Sequence, residues 1–418
     1  MFGRGQMRTL CLLALSAVYA AAQTSGWNYS YIYNFQGGAS GAAPFGLVLG
    51  PNGTVYGYLG IGSSGCCNGG IFQLSPPSTP GGVWTETVLY EFEGGNDGSF
   101  PVGSPVIGPN GSIYGATRTG GLSTSQCVGC GTVFQLTPPA APGGQWTETV
   151  LYRFQGPPDA DFPDTALAIG TDGSLYGTTY EGGSKSPPVN GNGTVYQVSP
   201  PSARGTNWKE TVIRSFSQSG RAGANPTAGV AVGAGGVLYG STTDGYSVGS
   251  IFSLTPPAAP GAVWKIELIR NFSTTGTMAI GPDGKVYGIS GNAGTEFAFQ
   301  LTPPASPGGN WTEVILHKFA PGPDGWDIVS SPVLDGNGNV YCTTTMGGAS
   351  QSGVIFQLVP PANLGGSWTE NLLYSFAKND GGGQVILAPN GGLYGTSSFG
   401  VYNQGAVYEL RPPSTPQF

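Results

Sequence analysis

The sequence is poor in the residues on which most enzymes and nucleic-acid binders depend. It holds a single histidine, His317, among 418 residues. A Ser-His-Asp triad or a multi-histidine metal centre therefore has almost nothing to be built from. Charged residues make up only 9% of the chain, and the formal net charge is −7. No Lys/Arg run occurs, which excludes a basic groove for nucleic acid and a polybasic membrane anchor. Beyond the first 22 residues no apolar run is long enough to span a bilayer. No segment carries helical spacing of adequate length either.

What is abundant is turn chemistry. The chain has 74 Gly and 35 Pro, placed at fixed offsets between alternating apolar runs, a pattern of many turns rather than disorder. At the N-terminus, Arg4 and Arg8 precede an apolar stretch from Leu10 to Val18 and the small residues Ala20-Ala21-Ala22. These read as a signal peptide over 1–22, cleaved near Ala22, and predict a protein that is secreted, extracellular or periplasmic.

Residues 23–418 carry a repeat. The phrase Trp-polar-Glu-Thr-apolar-Leu-Tyr-x-Phe returns seven times, with Trp at 27, 84, 146, 208, 264, 311 and 368. A second phrase keeps step with it at Tyr56, Tyr114, Tyr176, Tyr239, Tyr287, Tyr341 and Tyr394, and Gly follows six of the seven. The copy from Pro101 to Phe154 resolves into four short strand-like runs divided by Pro-Asn-Gly, Gly/Ser-rich and Pro-Gly-Gly segments. In its last run, Trp146, Glu148, Val150, Tyr152 and Phe154 alternate onto one face. Four antiparallel strands per unit and seven units predict an all-β, seven-bladed β-propeller in one domain. The chain opens with a lone Trp27-to-Phe35 strand and closes with Gly405 to Leu410, so the N-terminal strand is expected to complete the last blade.

The phrases Gly131-Thr-Val-Phe-Gln-Leu-Thr-Pro-Pro139, Trp146-Thr-Glu-Thr-Val-Leu-Tyr152 and Leu175-Tyr-Gly-Thr-Thr179 resemble the GloVer-type tandem repeat of secreted bacterial proteins. The resemblance runs from about Trp27 to Pro413. It implies no particular activity and no catalytic residues.

Connection lengths divide a propeller of this sequence into two faces. Tight Asn-Gly, Asp-Gly or Gly-Gly turns and near-constant Pro-rich segments share one face. The connections of variable length share the other, where recognition on a rigid scaffold usually sits. That second face holds Trp326, the one Trp outside the repeat phrase, with Phe100, Phe162, Tyr180, Tyr246, Phe399 and Tyr402. It also holds Asp159, Asp161 and Asp164 in one loop, and Asp97, Asp324 and Asp327 in equivalent ones. The aromatics could stack on a sugar or fill a protein hot spot, or simply shield the blade ends. The carboxylates could hold Ca²⁺, but their spacing matches no defined calcium loop, and neither a metal nor another cofactor is expected. His317 replaces the Tyr of Tyr90, Tyr152 and Tyr374 in an outer strand and reads as structural.

Outside the cytoplasm, Cys66, Cys67, Cys127 and Cys130 are expected to form two disulfides, with Cys342 free at a Gly position of the repeat. The function expected is a non-enzymatic, monomeric binding scaffold for an unidentified extracellular glycan or protein, with no catalytic residue. The alternatives are a glycoside hydrolase or lyase working through loop Asp residues, and a structural surface or matrix protein.

Overall fold

The computed structural model describes residues 26–413, apart from 66, 80, 124–128, 142, 184–190, 202–206, 219, 244–248, 260–261, 292–294, 307, 329, 364 and 379. The described chain forms seven antiparallel sheets arranged as a β-propeller. Blade one comprises Ala42–Leu49, Val55–Ile61, Gly70–Ser75 and Thr85–Glu91, and blade two Ser99–Ile107, Ile113–Thr119, Thr132–Thr137 and Thr147–Arg153. Blades three to six repeat this order, and in blades three and six the first strand is split, into Ala160–Pro163 with Ala168–Ile169 and Trp326–Ile328 with Val333–Leu334. Blade seven takes three strands from the end of the chain, Gly382–Leu387, Leu393–Ser397 and Ala406–Arg411. Its fourth is Asn28–Asn34 from the start, registered with Tyr29 opposite Leu410 and Asn34 opposite Ala406. The N-terminal strand closes the ring as the sequence predicts and covers the edge that Ala406–Arg411 would otherwise expose.

The two repeated phrases are complementary halves of the blade-to-blade packing. The Phe at the end of each Trp strand packs against the third-strand aromatic of the next blade. Phe35 meets Phe72, Phe92 meets Phe134 and Phe154 meets Tyr196, and the pattern continues through Phe376 and Tyr408, with ring centroids 5.0–5.7 Å apart. In the opposite direction, Trp84, Trp146, Trp208, Trp264, Trp311 and Trp368 meet the Tyr of the preceding blade's Tyr-Gly phrase at 5.9–6.5 Å. Trp27 and Tyr341 share a core cluster in the same way. Within a blade, the Gly of the Tyr-Gly phrase leaves room for the aromatic paired opposite it. A Cβ on Gly177 would stand 2.3–2.5 Å from the Tyr196 hydroxyl end. Cys342 occupies this position opposite Phe356 and is fully buried.

One expectation is corrected. The Trp strand does not alternate strictly, because every blade has a β-bulge between its third and fourth strands. In blade two, Phe134 pairs with Val150 and Val133 with Tyr152, which makes Leu151 the extra residue. The bulge turns Leu151 inward, so that both it and Phe154 reach the core.

A second inter-blade contact runs along the outer strands. The residue six places after each Trp meets the residue two places after the next. Arg270 forms an ion pair with Glu313, His317 faces Glu370, and Tyr374 stacks on Tyr29 at 4.1 Å. At the axis, the first strands approach so closely that a Cβ on Gly46 would lie 2.1 Å from the Gly103 carbonyl oxygen.

Candidate functional site

The connections that leave the outer strands of blades one, two and six are each built around an Asp. Asp97 Oδ2 accepts hydrogen bonds from the Tyr90 hydroxyl (3.0 Å) and the Glu93 amide (2.8 Å). Asp159 Oδ2 accepts the same pair from Tyr152 and Gln155, both at 2.9 Å, while its Oδ1 takes the Ala160 amide at 2.8 Å. Asp380 receives the hydroxyls of Tyr29 (3.1 Å), Tyr31 (2.5 Å) and Ser397. These carboxylates are spent on turns, so Asp159 is already saturated by its own loop. The Tyr-to-Asp interval of seven residues (Tyr90 to Asp97, Tyr152 to Asp159, His317 to Asp324) is visible in the sequence and is the signal for this role.

Past five of the inter-blade connections the chain enters the next blade through a residue in the left-handed region: Ala43, Phe100, Phe162, Asn225 and Asp327, with φ of 52–61°. Amides there bond to the preceding blade: Ala43 N–H to the Gln404 carbonyl, Phe100 to Asn68, Phe162 to Cys130 and Asn225 to Asn192. Each such backbone costs of order 1–3 kcal/mol, and the neighbouring blade's carbonyl holds it in place. In blade six the Asp327 amide instead donates to Glu296 Oε2 at 3.0 Å, and the Thr345 hydroxyl donates to Asp327 Oδ2 at 2.5 Å. Trp326, beginning that strand opposite Met346, is half-buried rather than projecting.

Asp161 differs from the turn carboxylates. It is buried and sits directly across the strand pair from Glu181. Burial first, then the charge of Glu181, push its carboxyl up to about 7. Asp161 Oδ1 and Glu181 Oε2 are both shielded and accept no hydrogen bond. Reading the sequence did not single out Glu181, because a cross-strand partner depends on register. Asp164 faces the exposed Arg118 at 3.4 Å and lines an axial cavity of about 300 Å³ with Ser104, Thr227, Thr277, Ser331 and Gln384. Asp164 is the one carboxylate in that lining, which is otherwise small and hydroxyl-rich.

The remaining sequence candidates scatter. Tyr180 is half-buried, and its carbonyl accepts the Asn225 side-chain amide at 3.0 Å. Tyr246 lies outside the described residues. Tyr402 is exposed, together with Phe399 and Val401, in the connection between the second and third strands of blade seven. Met346 of blade six, Ile61 of blade one, and Phe100 and Leu122 of blade two are exposed on the same face. Large apolar side chains thus line the variable face over four successive blades, six, seven, one and two. The four aliphatic members went unnoticed in the sequence, since their exposure depends on where each strand ends.

Among the cysteines, Cys342 is free and buried, where desolvation pushes its thiol up to about 12. Cys67 is also free, and exposed. The two-bridge arrangement expected from the sequence is therefore not formed, since it requires Cys67 to be bonded. Cys66 and Cys127 lie outside the described residues. Cys130 is buried and disulfide-bonded.

The geometry is that of a closed seven-bladed β-propeller with a loop-bearing face and a narrow axial cavity. The chain belongs to the Gloeobacter/Verrucomicrobia repeat family, whose model matches residues 68–296. Among solved structures it is similar to a streptogramin B lyase, at 15% identity and a TM-score of 0.55, over 92% of this chain and 97% of that one. It is also similar to virginiamycin B lyase from Staphylococcus aureus. A catalytically inactive histidine-to-alanine variant with quinupristin gives 13% identity and a TM-score of 0.55 over 92% and 99% of the two chains. The selenomethionine form gives 12% and 0.54 over 92% and 98%. At these identities the likeness is one of fold. No curated protein matches the chain.

Proposed function

We propose that the protein is a secreted, non-enzymatic binding scaffold that recognises an extracellular protein through its variable-loop face. The observation that carries this reading is the run of exposed apolar side chains over blades six, seven, one and two. Large apolar side chains exposed on neighbouring blades of one face are suited to recognition. Its composition favours protein over glycan. Phe100, Phe399 and Tyr402 would suit a sugar ring, but Ile61, Leu122, Met346 and Val401 offer no flat face for stacking. Secretion is supported by the pattern of Arg4, Arg8 and the apolar stretch up to Ala22. The lyase chemistry of the similar structures is not carried over. One of them is described as inactivated by loss of a histidine, whereas His317 here lies on an outermost strand of blade five.

A screen of the purified chain against a glycan array and against secreted proteins of the source organism tests this. Protein binding that falls at least about tenfold in a Phe100→Ser, Tyr402→Ser double variant supports the reading, as loss of two hot-spot contacts predicts. Glycan binding untouched by those changes refutes it.

Asp161 and Glu181 favour a second reading, a carbohydrate-active enzyme. Directly opposed strand residues bring two carboxyls together, the pair that glycoside hydrolysis needs, and burial with the Glu181 charge raises the Asp161 carboxyl to about 7. Against it, Asp161 is only 2% exposed, and a sugar would have to reach it. Reducing-end release from a polysaccharide, abolished by Asp161→Asn, would establish the enzyme instead.

A further inference from the structure

The junction between blades five and six departs from a pattern kept in blades one, two and four. There, the donor six places after the Trp reaches a carboxylate. The Tyr90 and Tyr152 hydroxyls donate to Asp97 and Asp159, and the Arg270 guanidinium pairs with Glu313. At the fifth junction, histidine stands where tyrosine stands in blades one, two and six, and the contact is left open. His317 Nε2 lies 3.8 Å from Asp324 Oδ2 and 3.8 Å from Glu370 Oε2, beyond hydrogen-bond reach of either. The nitrogen is shielded by its surroundings and has no hydrogen-bond partner.

Three ligand-type atoms from three separate segments therefore face one point. His317 comes from the outer strand of blade five, Asp324 from the connection after it, and Glu370 from the outer strand of blade six. Their atoms all fall within 4.8 Å of one another, and among the described residues no other group of His, Cys, Asp and Glu does so. Ligands about 2.0–2.1 Å from a tetrahedral ion stand roughly 3.3–3.4 Å apart, so a small inward shift of rotamers would complete the geometry. We propose that His317, Asp324 and Glu370 bind one divalent transition-metal ion of the zinc class, which joins blade five to blade six. One imidazole with two carboxylates suits such an ion. Ca²⁺ needs six to eight oxygens, which this set does not supply. The three side chains are 23%, 35% and 17% exposed, so the site opens to solvent most at Asp324, while the His317 nitrogen itself is shielded. Asp324 precedes Trp326 by two residues, so the ion would also fix the connection that leads into blade six.

The test is calorimetric titration of the full, tag-free, chelator-treated chain with ZnCl2, and with CaCl2 in parallel. The expected result is uptake of one Zn²⁺ per chain, no comparable heat from Ca²⁺, and a higher melting temperature with Zn²⁺. His317→Tyr installs the residue that Tyr90, Tyr152 and Tyr374 provide elsewhere in the ring, so it should fold normally. It should weaken Zn²⁺ binding by at least the roughly 10–100-fold that follows loss of a group merely orienting a ligand. Glu370→Gln, nearly isosteric, should do the same. Cys67→Ser should leave binding unchanged, and Co²⁺ substitution should show no thiolate charge-transfer band. The proposal is overturned by no Zn²⁺ uptake, by uptake that survives both His317→Tyr and Glu370→Gln, or by uptake that disappears with Cys67→Ser.

Discussion

Replacing Phe154 with alanine should measure how much one blade-to-blade contact contributes to the ring. Phe154 is fully buried and meets the equally buried Tyr196 of the next blade at a centroid distance of 5.0 Å, ring planes 70° apart. Truncation removes the transfer energy of the ring, leaves a cavity in a cluster that includes Leu151, Leu175 and Val198, and forfeits the edge-to-face pairing. Phe-to-Ala changes in such surroundings cost about 3–5 kcal/mol, of which the aromatic pairing accounts for roughly 0.5–1.5 kcal/mol. For a chain of this size, with unfolding entropy near 2 cal/mol/K per residue, that loss lowers the melting temperature by roughly 4–6 °C. Phe272 is the internal control. It holds the same place in blade four but is only partly buried, so Phe272→Ala should cost distinctly less. Equilibrium urea unfolding followed by tryptophan fluorescence reads both variants against the parent chain. A Phe154→Ala loss below about 1 kcal/mol, or one no larger than that of Phe272→Ala, would refute the view that these rings hold the blades together.

Three further outcomes follow from the same packing. Gly177→Ala places a Cβ 2.3 Å from the Tyr196 hydroxyl oxygen, and the overpacking should cost about 1–3 kcal/mol in the urea assay, while the additional change Tyr196→Phe should recover part of it. Burial raises Glu86, Glu148 and Glu370 from 4.5 to about 7 and Glu210 to about 8. The folded protein then binds more protons than the unfolded chain between about pH 4.5 and 8, so stability falls as pH rises through that window. Melting temperatures at pH 5 should exceed those at pH 8, and a Glu148→Gln, Glu210→Gln double variant should flatten the difference. Deleting residues 26–35 removes the fourth strand of blade seven. Light scattering should then detect association through the exposed edge, and a monodisperse, stable monomer would contradict the closure.

Much of the architecture could be read from the sequence because the repeat is periodic and its turn residues have fixed roles. The Trp and Tyr-Gly phrases, the Asn-Gly turns and the unpaired terminal strands were sufficient for seven blades and their closure. What escaped notice depends on register between strands that the sequence does not align. The bulge at Leu151 breaks an alternation that looks unbroken in Trp146 to Phe154. Glu181 matters only because pairing sets it opposite Asp161, and Glu296 only because its carboxylate caps the Asp327 amide. Asp159 looked available for a ligand, yet the hydroxyl of Tyr152 and two loop amides occupy it. His317 lies on the outer strand as expected, and its seven-residue interval to Asp324 is visible in the sequence, but Glu370 comes beside it from the next blade and depends on packing.

The outer-strand contacts bear on how a chain of near-identical units finds its order. The Phe and Trp contacts are interchangeable, since any blade could dock on any other through them. Such uniformity invites misassembly, with a blade skipped or two chains exchanging units. The outer contacts include three alike Tyr–Glu pairs, Tyr33 with Glu86, Tyr90 with Glu148 and Tyr152 with Glu210, but those of Arg270, His317 and Tyr374 are each of a different kind. Arg270 suits Glu313 but would strand its charge against Tyr29, and Tyr374 stacks on Tyr29 where it would find no ring beside Glu370. The common rings thus supply adhesion while the varied pairs act as addresses, penalising the wrong neighbour at little cost to the right one.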